Sequence, residues 1–181
     1  DNAHKVEFIT TQHILNNLLP SKAKILDAAA GTGRYSFYLA NQGHNVVATD
    51  IVKKHVNQMK DKLKKRKVNG SLEIKKNDAR DLSLYDDSSF EVVLCMGPLY
   101  HLVEKKDRKK CILECLRVLE DNGLLFIAYI NKYFAVASLT KKQKLKQTNW
   151  KNIINSGNFQ DEENGSWYFS SPQEINSFMD E

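Results

Sequence analysis

The sequence contains no long apolar run. None of its segments approaches the roughly 20 consecutive apolar residues that a membrane-spanning helix requires. It also lacks a secretory signal pattern at its start, although its first residue is Asp1 rather than Met. We therefore expect a cytoplasmic protein with no membrane partner.

Cysteine is scarce in this chain. There are 3 cysteines, an odd number, and none has the CxxC spacing of redox or zinc motifs. Cys111 and Cys115 lie four residues apart and fit one helix face, but no nearby His or Cys completes a metal site. The sequence predicts buried, reduced thiols and no bound metal.

Neither sign of charge dominates the composition. The 27 basic and 22 acidic residues give a net charge of +5, which permits contact with nucleic acid without requiring it. Proline is rare, with 3 residues, and 41% of the residues are hydrophobic. Length and composition predict a single folded domain over residues 1–181.

Apolar periodicity predicts a first helix over 5–19, followed by strands that alternate with helices. Such alternation is typical of an α/β protein with a Rossmann-like, doubly wound, mostly parallel sheet. The predicted strands cover 24–28, 45–50, 71–75, 90–95 and 124–130, the helices cover 33–41, 53–67 and 104–119, a sharp turn covers 121–123, and a last helix starts at 171–174.

The most informative segment is the loop from Asp27 to Gly33, Asp-Ala-Ala-Ala-Gly-Thr-Gly, between the first strand and its helix. A glycine turn at a helix N-terminus lets backbone N–H groups approach a nucleotide or nucleoside closely. Asp50 ends the second strand, Asp78 follows the third, and the loop 96–102 follows the fourth. Because these positions share the carboxyl edge of a parallel sheet, they predict one site.

These four ordered motifs resemble those of class I S-adenosylmethionine-dependent methyltransferases over roughly residues 5–130. The resemblance is strongest to small stand-alone enzymes of the methyltransferase-11 or ubiquinone-biosynthesis type. An NAD site would share the acid at Asp50, but it would not explain Asp78-Ala79 or the loop after the fourth strand.

The resemblance implies S-adenosylmethionine as the cofactor and gives each motif a role. It implies that Asp27, Ala29, Gly31 and Gly33 surround the methionine part, Asp50 holds the ribose hydroxyls, Ile51 packs on adenine, Asp78 and Ala79 bind the adenine amino group, and Cys95, Met96 and Gly97 approach the methyl group.

One residue departs from the family pattern. Ala29 stands where the family loop has its first glycine. We expect the added methyl group to be tolerated if the φ angle of Ala29 is negative.

Methyl transfer from a sulfonium is an in-line displacement, in which the protein aligns the nucleophile and excludes water. His101 is the predicted general base, with Tyr100 as its orienting or substrate-contacting partner. The loop around them lacks the Asn/Asp-Pro-Pro-Tyr/Phe signature of many amine-directed members of the family. We therefore expect a small-molecule methyl acceptor.

Two other functions stay open. The basic runs at 60–67 and 105–110 also fit an RNA methyltransferase that binds phosphates, and a cofactor-binding partner without turnover fits the same motifs.

The aromatic residues between 133 and 167 predict a substrate lid at 131–170. Because the family sheet has seven strands, we expect its last two to be missing from this chain.

Overall fold

The computed structural model describes residues 2–141, 150–161 and 165–179. No helix in these ranges is long and apolar enough to span a membrane. The elements are α1 (Asn2–Leu18), β1 (Lys24–Asp27), α2 (Arg34–Asn41), β2 (Asn45–Asp50), α3 (Lys53–Lys64), β3 (Ser71–Lys76), β4 (Phe90–Cys95), a 3-10 turn (Pro98–Tyr100), α4 (Lys105–Val118), β5 (Leu119–Ile127), α5 (Lys132–Lys141), α6 (Trp150–Ser156), β6 (Asn158–Asp161), β7 (Gly165–Tyr168) and α7 (Pro172–Met179).

The central sheet has five strands in the order β3-β2-β1-β4-β5, and every neighbouring pair is parallel. The predicted doubly wound sheet is therefore confirmed. Within the described ranges, the other two strands, β6 and β7, pair only with each other, as an antiparallel hairpin.

Two hydrophobic layers cover the two faces of the sheet. Alternate residues of β1 and β4 point to opposite faces because the side-chain period of a strand is two. One face packs against α1, α2 and α3, and the other packs against α4 and α7. The crossover helices therefore change face between β1 and β4, which places the switch in strand order at the centre of the carboxyl edge.

Strand β5 begins earlier than the sequence pattern predicts. Leu119 already pairs with Phe90, and the next pair joins Leu124 to Val92, so the intervening residues bulge out of the sheet. Asn122 takes a left-handed conformation with φ 63°, and a Cβ on Gly123 would lie 2.7 Å from Leu119 Cδ1. The predicted turn at 121–123 is thus a bulge inside the strand.

The cysteines form one buried cluster between β4 and α4. The prediction of buried thiols is confirmed, because all three are free and inaccessible to solvent. Cys95 Sγ lies 3.7 Å from Cys111 Sγ, and all three sulfur atoms lie within 4.8 Å of one another. The expectation that no third ligand reaches Cys111 and Cys115 is wrong, because the last residue of β4 faces α4. Hydrogen bonds to the two helix thiols, together with burial, raise the pKa of Cys95.

Candidate functional site

A cavity of about 560 Å³ opens at the carboxyl edge of the central sheet. It lies at the switch between β1 and β4, where open α/β sheets bind their ligands. Most of the predicted site residues line this cavity, namely Asp27, Ala29, Gly31, Asp50, Ile51, Asp78, Ala79, Met96, Gly97, Tyr100 and His101.

The two glycines of the first loop serve different purposes. Both are left-handed, with φ 57° at Gly31 and 82° at Gly33, a region that glycine occupies without strain. A Cβ on Gly31 would meet no atom within 4 Å, so this residue leaves its backbone open towards the cavity. A Cβ on Gly33 would instead lie 2.9 Å from Met59 Sδ. Gly33 is therefore not part of the cavity wall, and it allows α2 to start close to α3.

Ala29 is accommodated next to another small residue. Its φ angle is not positive, so the condition under which its methyl group is tolerated is met. A Cβ placed on Gly97 would lie 3.7 Å from the Cβ of Ala29, which is ordinary van der Waals contact. Two small residues thus face each other across the ends of β1 and β4.

Asp50 ties the first loop to the end of β2. Its Oδ2 accepts a hydrogen bond from the Gly31 backbone N–H at 2.7 Å. Its Oδ1 accepts from the Val52 backbone N–H at 2.8 Å and lies 3.2 Å from His55 Nδ1. A carboxylate offers about four lone-pair positions. The described contacts occupy three of them, which leaves one on Oδ2 for a ligand hydroxyl.

Asp27 is a fully buried carboxyl group beneath the loop. Its Oδ2 accepts a hydrogen bond from Ser36 Oγ at 2.6 Å. Burial raises the pKa of Asp27 to about 6, against the opposing effect of that hydrogen bond and with a further rise from the nearby Asp50 charge. A cation entering the cavity would favour the ionised form of this group.

Asp78 reaches the cavity, but an arginine already engages its carboxylate. The backbone N–H and Nε of Arg80 donate to Asp78 Oδ1, and Nε and the NH2 nitrogen donate to Oδ2, at 2.7 to 3.1 Å. Hydrogen bonding to Arg80 lowers the pKa of Asp78. Arg80 also binds Asp107 of α4 at 2.8 Å. An amino group at Asp78 would therefore share the carboxylate with Arg80.

Cys95 does not line the cavity, because its side chain is buried in the hydrophobic cluster between β4 and α4. Several lining residues were not predicted as site residues. Arg34 and Tyr35 follow the glycine loop, and their place at the start of α2 was the available signal. The sequence gives little reason to predict His55, because the feature that links it to the site is its contact with Asp50 in the folded structure. The full unpredicted set is Ala28, Ala30, Thr32, Arg34, Tyr35, Val52, His55, Arg80, Pro98 and Leu102.

Tyr100, His101 and Trp167 form an aromatic wall beside the cavity. The Tyr100 and Trp167 rings are stacked at 5.8 Å with 14° between their planes, and His101 lies 4.8 Å from each of them. Tyr100 Oη donates to the Met96 carbonyl at 3.1 Å. His101 is exposed, but partial desolvation lowers the pKa of its imidazole from the ordinary 6.5, while the Asp50 charge opposes the shift. The imidazole is therefore mostly neutral at pH 7.

The predicted lid at 131–170 contributes only part of this wall. Its hairpin brings Trp167 against Tyr100 and His101, whereas Phe159 stacks on Phe169 at 5.6 Å. Tyr133 and Phe134 are exposed. Residues 142–149 and 162–164 of the predicted lid lie outside the described ranges.

Comparison with known proteins identifies relatives of the segment that builds the site. A family model described as a methyltransferase domain matches residues 25–123, more than half of the chain. The chain is 30% identical over 123 residues to a methyltransferase of Bacillus subtilis, covering 67% of this chain and 47% of that protein. It is also 30% identical over 155 residues to a ubiquinone biosynthesis O-methyltransferase of Colwellia psychrerythraea, covering 80% of this chain and 61% of that protein.

The fold also matches a solved structure. A SAM-dependent methyltransferase of Methanosarcina mazei superposes with a TM-score of 0.77 and 25% identity, covering 92% of this chain and 82% of that one. The chain spans about half the length of the two curated relatives above, 47% and 61%. The similarity thus covers the sheet and its carboxyl edge.

Replacing Asp27 with Asn tests the electrostatics of the buried carboxyl group beneath the loop. The folded-state pKa of about 6 lies above the ordinary 3.8, so the native protein loses stability as pH rises through 6 and has none of this loss below 3.8. The Asp27→Asn variant does not ionise. Its free energy of unfolding relative to the native chain should therefore rise by about 2 kcal/mol between pH 4 and pH 8.

Denaturant unfolding at several pH values measures this difference. Asp86→Asn, at an exposed acid, is the matched control. The difference in free energy of unfolding between this variant and the native chain should change little with pH. A difference between Asp27→Asn and the native chain that stays constant, or falls, with pH would contradict the burial argument.

Proposed function

Because the chain belongs to the methyltransferase-domain family, we propose that it transfers a methyl group from S-adenosylmethionine to a small-molecule acceptor. The observation that carries the proposal is the single cavity in which the glycine loop, Asp50, Asp78 and the end of β4 meet. Each of these comes from a different strand end, and their order along the chain is that of the family's cofactor motifs.

The residues around the cavity fit the cofactor. Gly31 and Gly97 add no side chain to the cavity wall, so a ligand can approach the backbone at these two positions. Oδ2 of Asp50 retains a lone pair for a ribose hydroxyl. Asp27 gives the buried end of the cavity an acid that a cationic ligand would ionise. When bound, S-adenosylmethionine supplies a methyl group already activated by the sulfonium.

The aromatic wall fits the acceptor side of the reaction. Tyr100 and His101 line the cavity after the end of β4, where the resemblance places the methyl group. Rigid rings exclude water and hold a nucleophile in line with the methyl carbon. His101, neutral at pH 7 because burial lowers its pKa, would accept the proton of an oxygen or nitrogen nucleophile through its free ring nitrogen.

A small acceptor is favoured over RNA by the position of the basic residues. The exposed lysines of α3 lie on a helix packed against β2 and β3, whereas the aromatic wall follows β4. Arg108, part of the second basic run, is buried and paired with Glu174 rather than facing solvent. The Colwellia relative is named for ubiquinone biosynthesis, a small-molecule pathway, which supports the same choice.

A methyl-transfer screen tests the proposal directly. Release of S-adenosylhomocysteine is followed over pools of small hydroxylated and amino compounds and over pools of tRNA and rRNA fragments. We expect release with at least one small-molecule pool, at a rate that changes little with salt. Release with RNA alone, falling steeply with salt, would contradict the small-molecule assignment. Cofactor binding with no release in any pool would indicate a non-catalytic partner.

Substitution of His101 by Gln tests the base assignment. With an acceptor found in the screen, we expect kcat to fall by about 10²-fold or more, with the affinity for S-adenosylhomocysteine retained. In the native protein kcat should stay level from pH 9 down to 7 and fall only below the ordinary histidine pKa of 6.5, because burial lowers the pKa of His101.

His13→Gln, on α1 and away from the cavity, is the control and should match the native chain. Full turnover by His101→Gln across the pH range would show that the imidazole is not the base.

A further inference from the structure

We propose that Arg108 is a positioning residue that holds the aromatic wall against the cavity, acting through a buried cluster with Tyr168 and Glu174. We call Arg108, Tyr168 and Glu174 the arginine cluster. The inference rests on the proposed function for its chemistry, but the contacts that define it are independent of any substrate.

The guanidinium of Arg108 fixes the chain just after the wall. Arg108 is 2% exposed and is among the largest fully buried side chains of the described residues. Its NH1 nitrogen donates to the carbonyl of Leu102 at 2.9 Å and to that of Val103 at 2.6 Å. These carbonyls follow His101 directly, so Arg108 determines where the loop carrying Tyr100 and His101 ends.

The same guanidinium reaches the segment that carries Trp167. Its carbon lies 3.3 Å from the centroid of the Tyr168 ring, the neighbour of Trp167 in β7. Its NH2 nitrogen donates to Glu174 Oε1 at 2.8 Å, and Tyr168 Oη donates to both carboxylate oxygens of Glu174, at 2.9 and 2.8 Å. One charge on α4 thus joins the loop, the hairpin and α7.

Stability alone is a poor reason for this arrangement. Moving a guanidinium and a carboxylate out of water costs several kcal/mol for each ion, and replacing a buried ion pair by apolar groups is often neutral or stabilising. What the planar guanidinium supplies is direction, because its donors point at fixed angles to two carbonyls and one carboxylate. Apolar side chains would fill the space without fixing the relative position of these segments.

The two parts of the wall have no strand pairing with each other. Tyr100 and His101 lie on the 3-10 turn and the residue after it, and Trp167 lies in a hairpin separate from the central sheet. Backbone hydrogen bonds of Ser170 to Ile130 and Lys132 hold the end of the hairpin beside the chain that follows β5. Ring contacts join the two parts of the wall, and the arginine cluster adds directional contacts between the loop and the hairpin. Without the cluster, we expect the Trp167 ring to move away from His101, an exposed residue that would then gain further solvent.

The two tryptophans of the chain make the wall observable without a substrate. In a Trp150→Phe background, Trp167 is the remaining tryptophan, and it lies 4.8 Å from His101. A protonated imidazole quenches the fluorescence of a neighbouring indole. The pH midpoint of quenching therefore reports the pKa of His101, and the quenching amplitude reports its contact with Trp167. His101→Gln in this background should abolish the transition, which assigns it.

The Arg108→Met/Glu174→Gln double variant separates position from stability, because it removes the buried guanidinium together with the partly buried carboxylate that pairs with it. We expect a melting temperature near that of the Trp150→Phe parent, with a quenching midpoint moved up towards 6.5 and a reduced amplitude. Arg108→Lys keeps the charge but cannot reach both carbonyls and Glu174, and it should show the same change. It carries the test if the double variant does not fold.

Arg117→Met is the matched control on the same helix. Arg117 binds Glu114 at 2.9 Å and Asp87 at 2.7 Å, away from the wall, so its loss removes ion pairs without touching the arginine cluster. Its quenching midpoint and amplitude should equal those of the parent. A native midpoint and amplitude in the Arg108 variants would overturn the proposal, and so would an equal change in Arg117→Met.

Activity gives a second readout where an acceptor has been found. We expect the Arg108 variants to lose at least about 10-fold in kcat/KM for the acceptor while binding S-adenosylhomocysteine as the parent does. Equal losses in cofactor binding and turnover would contradict a role confined to the wall. If no acceptor is ever methylated, the proposed function fails, whereas the fluorescence result still decides the role of Arg108.

Discussion

The hydrogen bond from the Gly31 backbone N–H to the Asp50 carboxylate is the contact on which the site depends. It joins the loop after β1 to the end of β2 at 2.7 Å, and it requires the left-handed conformation that glycine adopts at position 31. With the loop tied to Asp50, the ends of β1 and β4 lie open at the switch in strand order. The cavity and the aromatic wall are arranged around that opening, and so are the residues that we propose bind the cofactor.

Three acids at this edge have three different electrostatic environments. Asp27 is buried with a raised pKa, Asp50 is held by two backbone N–H groups and His55, and Asp78 is neutralised by Arg80. The carboxyl edge therefore does not present a uniform negative surface. A cation would ionise Asp27, Asp50 can accept a hydrogen bond from a hydroxyl group, and Arg80 already pairs with the charge of Asp78. This combination suits a cationic nucleoside ligand.

Local patterns predicted most of the fold and of the cavity. The strands and the acids at their ends follow from apolar runs and from the parallel arrangement, which brings strand ends to one edge. Gly33 and Cys95 do not line the cavity, because Gly33 lies where α2 starts against Met59 and Cys95 packs against α4. A motif gives positions along the chain, but not which of them face the cavity. The period of two along β4 puts Cys95 on the same face as Val93, the face that packs against α4.

Nonlocal contacts account for what the sequence did not reveal. Arg108 lies in a basic run typical of a surface, although its spacing from Ile112 and Cys115 puts it on the buried face of α4. Its acidic partner Glu174 is 66 residues further along the chain. The sequence around Tyr100 and His101 likewise does not indicate that Trp167 of the hairpin packs against them. Such pairings depend on the tertiary structure, which single-sequence periodicity does not contain.

A calorimetric titration of the native chain with S-adenosylhomocysteine and with NADH tests the central claim most directly. Gly31→Val, which would place a branched side chain in the open region of the loop, is titrated in parallel. We expect one S-adenosylhomocysteine bound per native chain, no binding of NADH, and no S-adenosylhomocysteine binding by a folded Gly31→Val variant. Binding of NADH in place of S-adenosylhomocysteine, or unchanged affinity in Gly31→Val, would contradict it.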